Sequence, residues 1–285
     1  MPVAVQTTLR RSFASNRQMR TCSIISAVAL LTAAPDAAPA QRPGAAAEVV
    51  IIGTIHGETP KFTVDTLLGI LDRVGPAVIL VELDSSFLDS SSRIRPEFQA
   101  ISLENVAVTR YSARTGTPLL PYELEGRNRE YEQRDYFGRQ RRLSATIEQL
   151  DRQGAFVPEA KGLLRELDDL SAVRDAIGAD RAVVINSAAS DTAIRRKQEY
   201  SYVGLRRIIE LTPGLSDFAD FWRWADEFWT RRNETMRTNI ARIAAKFPGR
   251  RIVVMCGYEH RYYLRSLLRQ DEAAGRLRLR EYWEY

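Results

Sequence analysis

Five short segments rich in apolar residues, most of them continuous apolar runs, alternate along the chain with longer stretches of mixed pattern. The five segments cover residues 48–53, 77–83, 118–123, 251–257 and 277–283. Continuous apolar runs of this length are typical of strands that are buried on both faces of a largely parallel sheet. We therefore predict a strand at each segment.

The stretches between the strand candidates predict helices. Residues 63–74 have the apolar spacing of the crossover helix in a β-α-β unit, which Gly75-Pro76 ends. Residues 127–211 are polar and mainly helical in pattern, without a flexible linker on either side, and further helices are predicted at 217–246 and 261–274. The predicted fold class is α/β, with a largely parallel central sheet flanked by helices and a helical insertion at about 127–211.

The first 40 residues have the layout of a secretory signal peptide. An apolar run at 22–34 leads to Ala38-Pro39-Ala40, a small-x-small cleavage site, and follows four arginines, Arg10, Arg11, Arg17 and Arg20. The run is too short to favour a permanent membrane span. We predict a signal peptide at 1–40, started at Met1 or at Met19, and one domain at 41–285 that is periplasmic or secreted.

Composition and charge indicate a folded domain and argue against a nucleic-acid partner. Hydrophobic residues make up 45% of the chain and charged residues 27%, as in a folded domain with a sizeable core. Without residues 1–40, which hold four arginines and one aspartate, the formal net charge falls from +5 to +2. The remaining arginines have the spacing of a solvated helix face, so no nucleic-acid partner is predicted. Cys256 is the one cysteine outside the predicted signal, which excludes an intrachain disulfide in the mature chain.

The chain has two histidines, and each follows a strand candidate within a Gly-x-x-His motif. The first motif is Gly53-Thr54-Ile55-His56, and the second is Gly257-Tyr258-Glu259-His260. Ligands of α/β proteins bind beyond the carboxyl ends of the strands, where a glycine lets the backbone turn sharply. Because imidazole binds metals and transfers protons near neutral pH, we expect His56 and His260 to share one pocket.

Glu82 ends the second strand candidate, where an ionised group is costly unless it pairs or binds a cation. Two imidazoles and one carboxylate are a recurrent ligand set for catalytic divalent metals, with a position left for water. His56, His260 and Glu82 are therefore the predicted metal ligands. Two alternatives stay open: Glu82 as an exposed strand end that bonds to a nearby helix start, and histidines with a purely structural role.

Two further segments accompany the Gly-x-x-His motifs. They are Pro76-Ala77-Val78-Ile79-Leu80-Val81-Glu82-Leu83-Asp84 and Arg232-Asn233-Glu234-Thr235-Met236. In this order the four landmarks resemble those of the TraB/PrgY/GumN group, which belongs to the wider Tiki and erythromycin-esterase/ChaN-like superfamily. The resemblance spans roughly residue 48 to the C-terminus, while the middle helical region matches no motif.

The resemblance implies that His56 and His260 are the paired site histidines, that Glu82 is the strand-end glutamate, and that Arg232 is a helix-borne arginine with Asn233 beside it. Tiki-like members resemble metal-dependent peptidases that use manganese or cobalt, whereas the esterase branch is thought to work without a bound metal. The prediction is an exported, metal-dependent, peptidase-like hydrolase with manganese, cobalt or zinc. Its substrate would be a peptide or a small molecule with an amide or ester bond.

ChaN-like relatives bind haem, so the resemblance also implies an alternative without turnover. In that alternative the protein binds haem, a metal or a peptide pheromone. The residues that offer axial haem ligands are Tyr258, Tyr262 and Tyr263.

Other residues near the motifs are predicted to support a hydrolytic site. Arg232 would stabilise the oxyanion of a tetrahedral intermediate. Glu58 and Glu259 are candidates for a general base or a fourth metal ligand. Glu123 and Glu125, at the end of the third strand candidate, could reach the same crevice.

The remaining motifs favour structure over chemistry. Aromatic residues at helical spacing between positions 218 and 229 predict core packing, with an apolar wall over the site as a second use. Cys256 lies inside a strand candidate and is predicted to be a small buried side chain. The sequence contains neither a Gly-x-Ser-x-Gly elbow nor a nucleotide-binding glycine motif, which argues against an α/β serine hydrolase and a nucleotide cofactor.

Overall fold

The computed structural model describes residues 45–285, so the predicted signal peptide at 1–40 lies outside the described residues. Within that range the strands are β1 (Ala47–Thr54), β2 (Val78–Val81), β3 (Leu119–Pro121), β4 (Arg251–Gly257) and β5 (Leu277–Arg280). They form one parallel sheet in the order β3-β2-β4-β1-β5. The predicted α/β fold is confirmed, although β2, β3 and β5 are shorter than predicted.

The central strands explain the continuous apolar runs. In β1, Val50 and Ile52 pack into one hydrophobic core, while Val49 and Ile51 pack into another core on the opposite face of the sheet. Side chains alternate between the two faces with a period of two, so a strand that is buried on both faces needs an apolar residue at every position. Cys256 of β4 is buried in the second core, as predicted.

Helices cover both faces of the sheet. Their bounds are α1 (Val64–Val74), α2 (Leu103–Thr115), α3 (Arg127–Gln133), α4 (Tyr136–Arg152), α5 (Pro158–Gly178), α6 (Ala182–Ile185), α7 (Ala188–Leu211), α8 (Ala219–Ala244) and α9 (Tyr258–Ala273). α1 and α2 pack into the core that contains Val50, and α8 and α9 pack into the core that contains Ile51. Between residues 45 and 285, no helix is both long enough and apolar enough to cross a membrane.

The chain between 127 and 211 contains the helices α3 to α7, of which α4, α5 and α7 pack with α8 around a third hydrophobic core. Phe221 and Trp222 are buried in this core, which confirms core packing for that part of the aromatic stripe. α8 thus connects the insertion to the sheet, and it is also the helix that carries Arg232 and Asn233.

The edge of β1 that leads to the first histidine is covered by side chains. β5 pairs with β1 only from Ala47 to Val50. Further along, the buried carboxamide of Asn186 accepts a hydrogen bond from the amide of Gly53 (2.7 Å) and donates one to its carbonyl (3.1 Å). The fully buried guanidinium of Arg261 donates to the carbonyl of Ile51 (3.2 Å). These contacts satisfy the backbone that β5 leaves unpaired and fix the end of β1.

A Gly53→Ala substitution is expected to lower the free energy of unfolding by about 1–3 kcal/mol. A Cβ atom at position 53 would lie 2.9 Å from the Cα and 3.0 Å from the Cβ of Tyr258, so the end of β1 would be pushed away from α9. Urea denaturation measures the loss. Gly69→Ala in α1 is the matched control, because a Cβ there meets nothing within 4 Å. Equal stability of the two variants would contradict the close packing of Gly53.

Candidate functional site at the carboxyl edge of the sheet

The sheet topology brings both histidines and Glu82 to one edge. β4 lies between β1 and β2, so the carboxyl ends of these three strands are neighbours. The Nε2 atom of His260 lies 3.7 Å from Oε1 of Glu82. A Cβ atom built on Gly257 would lie 2.8 Å from Nε2 of His56 and 3.7 Å from Oε2 of Glu82. The three predicted site residues therefore border one space above Gly257.

Glu82 is held from two sides. Its Oε2 accepts a hydrogen bond from the amide of Gly257 (2.6 Å), and its Oε1 accepts one from Nη2 of Arg232 (2.8 Å). Only 9% of the Glu82 side chain is exposed, so it is not the exposed strand end of the alternative, although it does bond to the start of α9. Both oxygens therefore act as hydrogen-bond acceptors.

Below Glu82 lies a second buried carboxylate, Glu123. Its Oε2 accepts hydrogen bonds from Nε of Arg232 (2.9 Å) and Nη1 of Arg127 (3.1 Å), and its side chain is fully buried. Burial alone would lower the pKa of Arg232, but Glu123, Tyr131 and Glu82 together raise it well above its ordinary value. Two carboxylates and two guanidiniums thus balance their charges beneath the site.

The buried guanidinium of Arg232 is occupied by protein groups. Besides its bonds to Glu82 and Glu123, its Nη1 donates to the hydroxyl of Tyr131 (3.3 Å). These contacts make Arg232 a residue that holds Glu82 in place, which is a different role from the oxyanion contact predicted from sequence. Sequence reasoning singled out neither Tyr131 nor Arg127, since both come from the helical insertion, where no motif was found.

The hydrogen-bond network around His260 fixes its tautomer. The Nδ2 of Asn233 donates to the carbonyl of Trp229 (2.8 Å), so the Oδ1 of Asn233 faces Nδ1 of His260 at 2.8 Å. Nδ1 must then carry the proton, which leaves a lone pair on Nε2. Burial, together with the charge of Arg232, holds the pKa of His260 well below its usual range, so the ring is neutral. The indole of Trp229 stacks on the imidazole at 4.2 Å.

The neutral imidazole of His260 and the carboxylate of Glu82 therefore face each other with two acceptors. The Nε2 lone pair and Oε1 are 3.7 Å apart, and neither can donate a proton to the other. A water molecule that donates to both atoms, or a cation bound by both, is the chemistry that such a pair accommodates.

His56 is in the opposite protonation state. Its Nδ1 bonds to the carboxylate of Glu104 on α2, and the attraction of that carboxylate raises the pKa of His56 to about 9. More than half of the imidazole, 54%, is exposed. At neutral pH the site thus contains one exposed imidazolium and one buried neutral imidazole. Glu104 was not among the sequence candidates.

Glu58 and Glu125, which were also predicted to support the site, form their hydrogen bonds away from the two histidines. Glu58 accepts a hydrogen bond from the amide of Val64 (2.8 Å) at the start of α1. Glu125 accepts hydrogen bonds from the amide (3.1 Å) and the hydroxyl (2.9 Å) of Ser85. Each carboxylate thus accepts a hydrogen bond from a backbone amide away from the histidines, and these contacts give no support to a general-base or ligand role.

Glu259 and Tyr258, beside the second histidine, connect α9 to the insertion. Glu259 accepts hydrogen bonds from Arg174 on α5 (3.1 Å) and from Nε2 of Gln198 on α7 (2.6 Å). The hydroxyl of Tyr258 donates to the carbonyl of Arg174 (3.2 Å). These contacts anchor helices to each other, and they leave the Tyr258 hydroxyl already bonded within the protein.

The predicted ligand set fits a divalent metal only in part. Over residues 45–285, no three His, Cys, Asp or Glu side chains converge closely enough to form a metal site as they stand. His260 and Glu82 present two facing ligand atoms, whereas His56 is held by Glu104 and protonated at neutral pH. A metal that uses His56 must first displace its proton.

Comparison of the chain with protein-family models, with curated proteins and with solved structures finds no match. The likeness to the TraB/PrgY/GumN group therefore stays a hypothesis that depends on the four sequence landmarks.

The two histidines predict opposite effects of pH on stability. Because the pKa of His260 is lowered, the unfolded chain binds more protons below about pH 6.5, and stability falls with decreasing pH, by up to about 1.4 kcal/mol per pH unit. Because the pKa of His56 is raised to about 9, its stabilisation is complete below about pH 6.5 and is lost as pH rises through 9.

Urea denaturation at a series of pH values tests this prediction. The difference in unfolding free energy between the native chain and a His56→Asn variant should depend on pH only on the alkaline side, and the difference for His260→Phe only on the acid side. Two pH-independent differences would contradict the assigned protonation states.

Proposed function

We propose that this protein is an exported hydrolase that cleaves a peptide, amide or ester bond with the help of a divalent metal. The observation that carries the proposal is the pair of facing acceptors, Nε2 of His260 and Oε1 of Glu82, 3.7 Å apart beside the exposed imidazole of His56. Such a pair suits an activated water molecule. The four sequence landmarks of the TraB/PrgY/GumN group support the same class.

The residues that would hold manganese, cobalt or zinc are His260, Glu82 and, once its proton has left, His56. A bound metal would lower the pKa of its water ligand to near neutrality. The facing pair alone is a poor base for that water, because the pKa of His260 is held well below its usual range and both oxygens of Glu82 already accept hydrogen bonds, from Arg232 and Gly257. Asn233 orients His260, and Arg232 orients Glu82, as ligand-supporting residues do in metal sites.

A second candidate is hydrolysis without a metal, and the His56–Glu104 ion pair favours it. With a pKa of about 9, His56 is protonated at neutral pH and half-exposed, so it can donate a proton to the leaving nitrogen or oxygen. In that case the water molecule is oriented by His260 and Glu82 alone. Of the three tyrosines that the haem alternative offers as axial ligands, Tyr258 already donates its hydroxyl to the carbonyl of Arg174.

Metal content and hydrolysis by the full chain test the proposal together. The chain is purified without chelator, its divalent metals are measured by elemental mass spectrometry, and cleavage of a mixed peptide library and of nitrophenyl esters is followed with and without chelator. About one equivalent of metal and chelator-sensitive cleavage are expected, both lost in a His260→Phe variant. Chelator-resistant cleavage would establish the second candidate instead. Absence of both metal and cleavage after reconstitution would overturn both candidates.

A further inference from the structure

The N-terminus of α2 forms two hydrogen bonds with His56. The amide of Leu103, the first residue of α2, donates a hydrogen bond to the carbonyl of His56 (2.9 Å). The next residue, Glu104, bonds to Nδ1 of the same histidine. Ser102 fixes this end of the helix by accepting a hydrogen bond from the amide of Asn105 (3.3 Å). One short segment therefore holds both the backbone and the side chain of His56.

The contacts from α2 hold His56 in a backbone conformation that histidine rarely adopts. Its φ angle is +63°, in the left-handed region, where a residue with a Cβ is strained unless its surroundings hold it. The same conformation turns the chain sharply after β1 and sends the imidazole over Gly257. The strain and the position of the ring are thus parts of one arrangement.

The burial of the Glu104 carboxylate costs free energy of folding that an exposed residue at a helix start would not cost. Only 10% of its side chain is exposed, and its second oxygen, Oε2, is buried without a hydrogen-bond partner. Its neighbours on α2, Leu103, Ala107 and Val108, belong to the hydrophobic core. A glutamate that merely favours the start of a helix can do so from an exposed position. The buried carboxylate instead has one side-chain partner, the imidazole of His56.

We infer that Glu104 is a positioning residue, which fixes a proton on Nδ1 of His56 and thereby aims Nε2 at the space shared with Glu82 above Gly257. The inference deepens the proposed function and rests on it in one respect, namely that Nε2 of His56 takes part in hydrolysis. Sequence reasoning has no motif for Glu104, which lies 48 residues beyond the histidine it serves. Partners that orient an active-site histidine through its other nitrogen typically change affinity or activity by about 10–100-fold when removed.

Proton NMR of the full chain with labelled histidine and glycine tests the positioning directly. Since a Cβ on Gly257 would lie 2.8 Å from Nε2 and 3.3 Å from Cε1 of His56, one Gly257 Hα must lie close to the ring, and the chain has only two histidines to assign. A nuclear Overhauser effect between this Hα and His56 Hε1 is expected in the native chain. It should be weakened in Glu104→Gln, which keeps an acceptor, and absent in Glu104→Leu. Glu97→Gln, an exposed glutamate just before α2, is the matched control.

Kinetics and stability complete the test. Glu104→Gln is expected to lower kcat by about 10–100-fold with little change in KM, and Glu97→Gln to leave both unchanged. Thermal unfolding confirms that each variant is folded. An undiminished Overhauser effect in folded Glu104→Leu would overturn the inference. If the native chain hydrolyses nothing, the proposed function fails, while the Overhauser effects still decide whether Glu104 positions His56.

Discussion

Replacement of Arg232 by methionine is expected to lower the free energy of unfolding by about 3–5 kcal/mol. The variant keeps the volume of the side chain but leaves Glu82 and Glu123, whose side chains are 9% and 0% exposed, without their shared cation. Arg127 contacts Glu123 and can compensate only one of the two carboxylates closely, because it lies 4.0 Å from Glu82. Urea denaturation at neutral pH measures the loss.

Arg231→Met is the matched control for that prediction. Arg231 precedes Arg232 on α8 and pairs with Glu130, but its side chain is 53% exposed, so its removal should change the unfolding free energy by no more than about 1 kcal/mol. A double variant, Arg232→Met with Glu123→Met, should recover part of the lost stability, since one unpaired buried charge is then gone. Equal losses in the two single variants would contradict a buried charge cluster beneath the site.

A His56→Asn variant is expected to lose about 10²–10⁴-fold in kcat/KM, whichever of the two hydrolytic candidates holds. Asparagine tolerates the left-handed φ of +63° better than most residues, so the turn after β1 should survive while the imidazole is removed. The variant should be less stable than the native chain at neutral pH, because Glu104 loses its ion pair with His56, but it should remain folded at the assay temperature. Hydrolysis of any substrate found for the native chain, measured beside thermal unfolding, checks both parts.

The control for His56→Asn is Ser92→Asn. Ser92 is exposed and also has a left-handed φ, +56°, but it belongs to a turn outside the cluster of His56, Glu82 and His260. Its substitution tests the backbone effect of asparagine alone and should leave activity and stability near native values. Native activity in His56→Asn would remove His56 from the reaction.

The sheet and the meeting of the two histidines could be predicted from sequence for physical reasons. Strands buried on both faces require continuous apolar runs, and parallel strands bring their carboxyl ends to one edge. His56, Glu82 and His260 each lie within three residues of such an end. The prediction holds although these residues are far apart in sequence, because parallel strands place all their carboxyl ends at the same edge of the sheet.

Glu259 shows where such reasoning stops. It neighbours His260 in sequence, but successive residues on a helix point about 100° apart, so its carboxylate faces α5 and α7 rather than the site. Glu58 follows the left-handed turn at His56, and its carboxylate accepts a hydrogen bond at the start of α1. Proximity in sequence predicts a shared site only when the backbone direction is known.

Glu104 and Arg127 could not be predicted because their roles depend on tertiary packing. Each lies at the start of a helix, where a charged side chain is ordinarily exposed to solvent. Only the docking of α2 against His56 and of α3 against Glu123 gives these side chains a partner. The periodicity of the sequence does not predict how α2 or α3 packs against these residues.

The most direct test of a shared site with two oppositely protonated imidazoles is a nitrogen NMR spectrum of the full chain with labelled histidine at neutral pH. Two imidazoles are present, so the spectrum is simple to assign with a His56→Asn variant. We expect one ring protonated on both nitrogens, His56, and one neutral ring that carries its proton on Nδ1, His260. Two neutral rings that both titrate near the ordinary histidine pKa of about 6.5 would contradict the site described above.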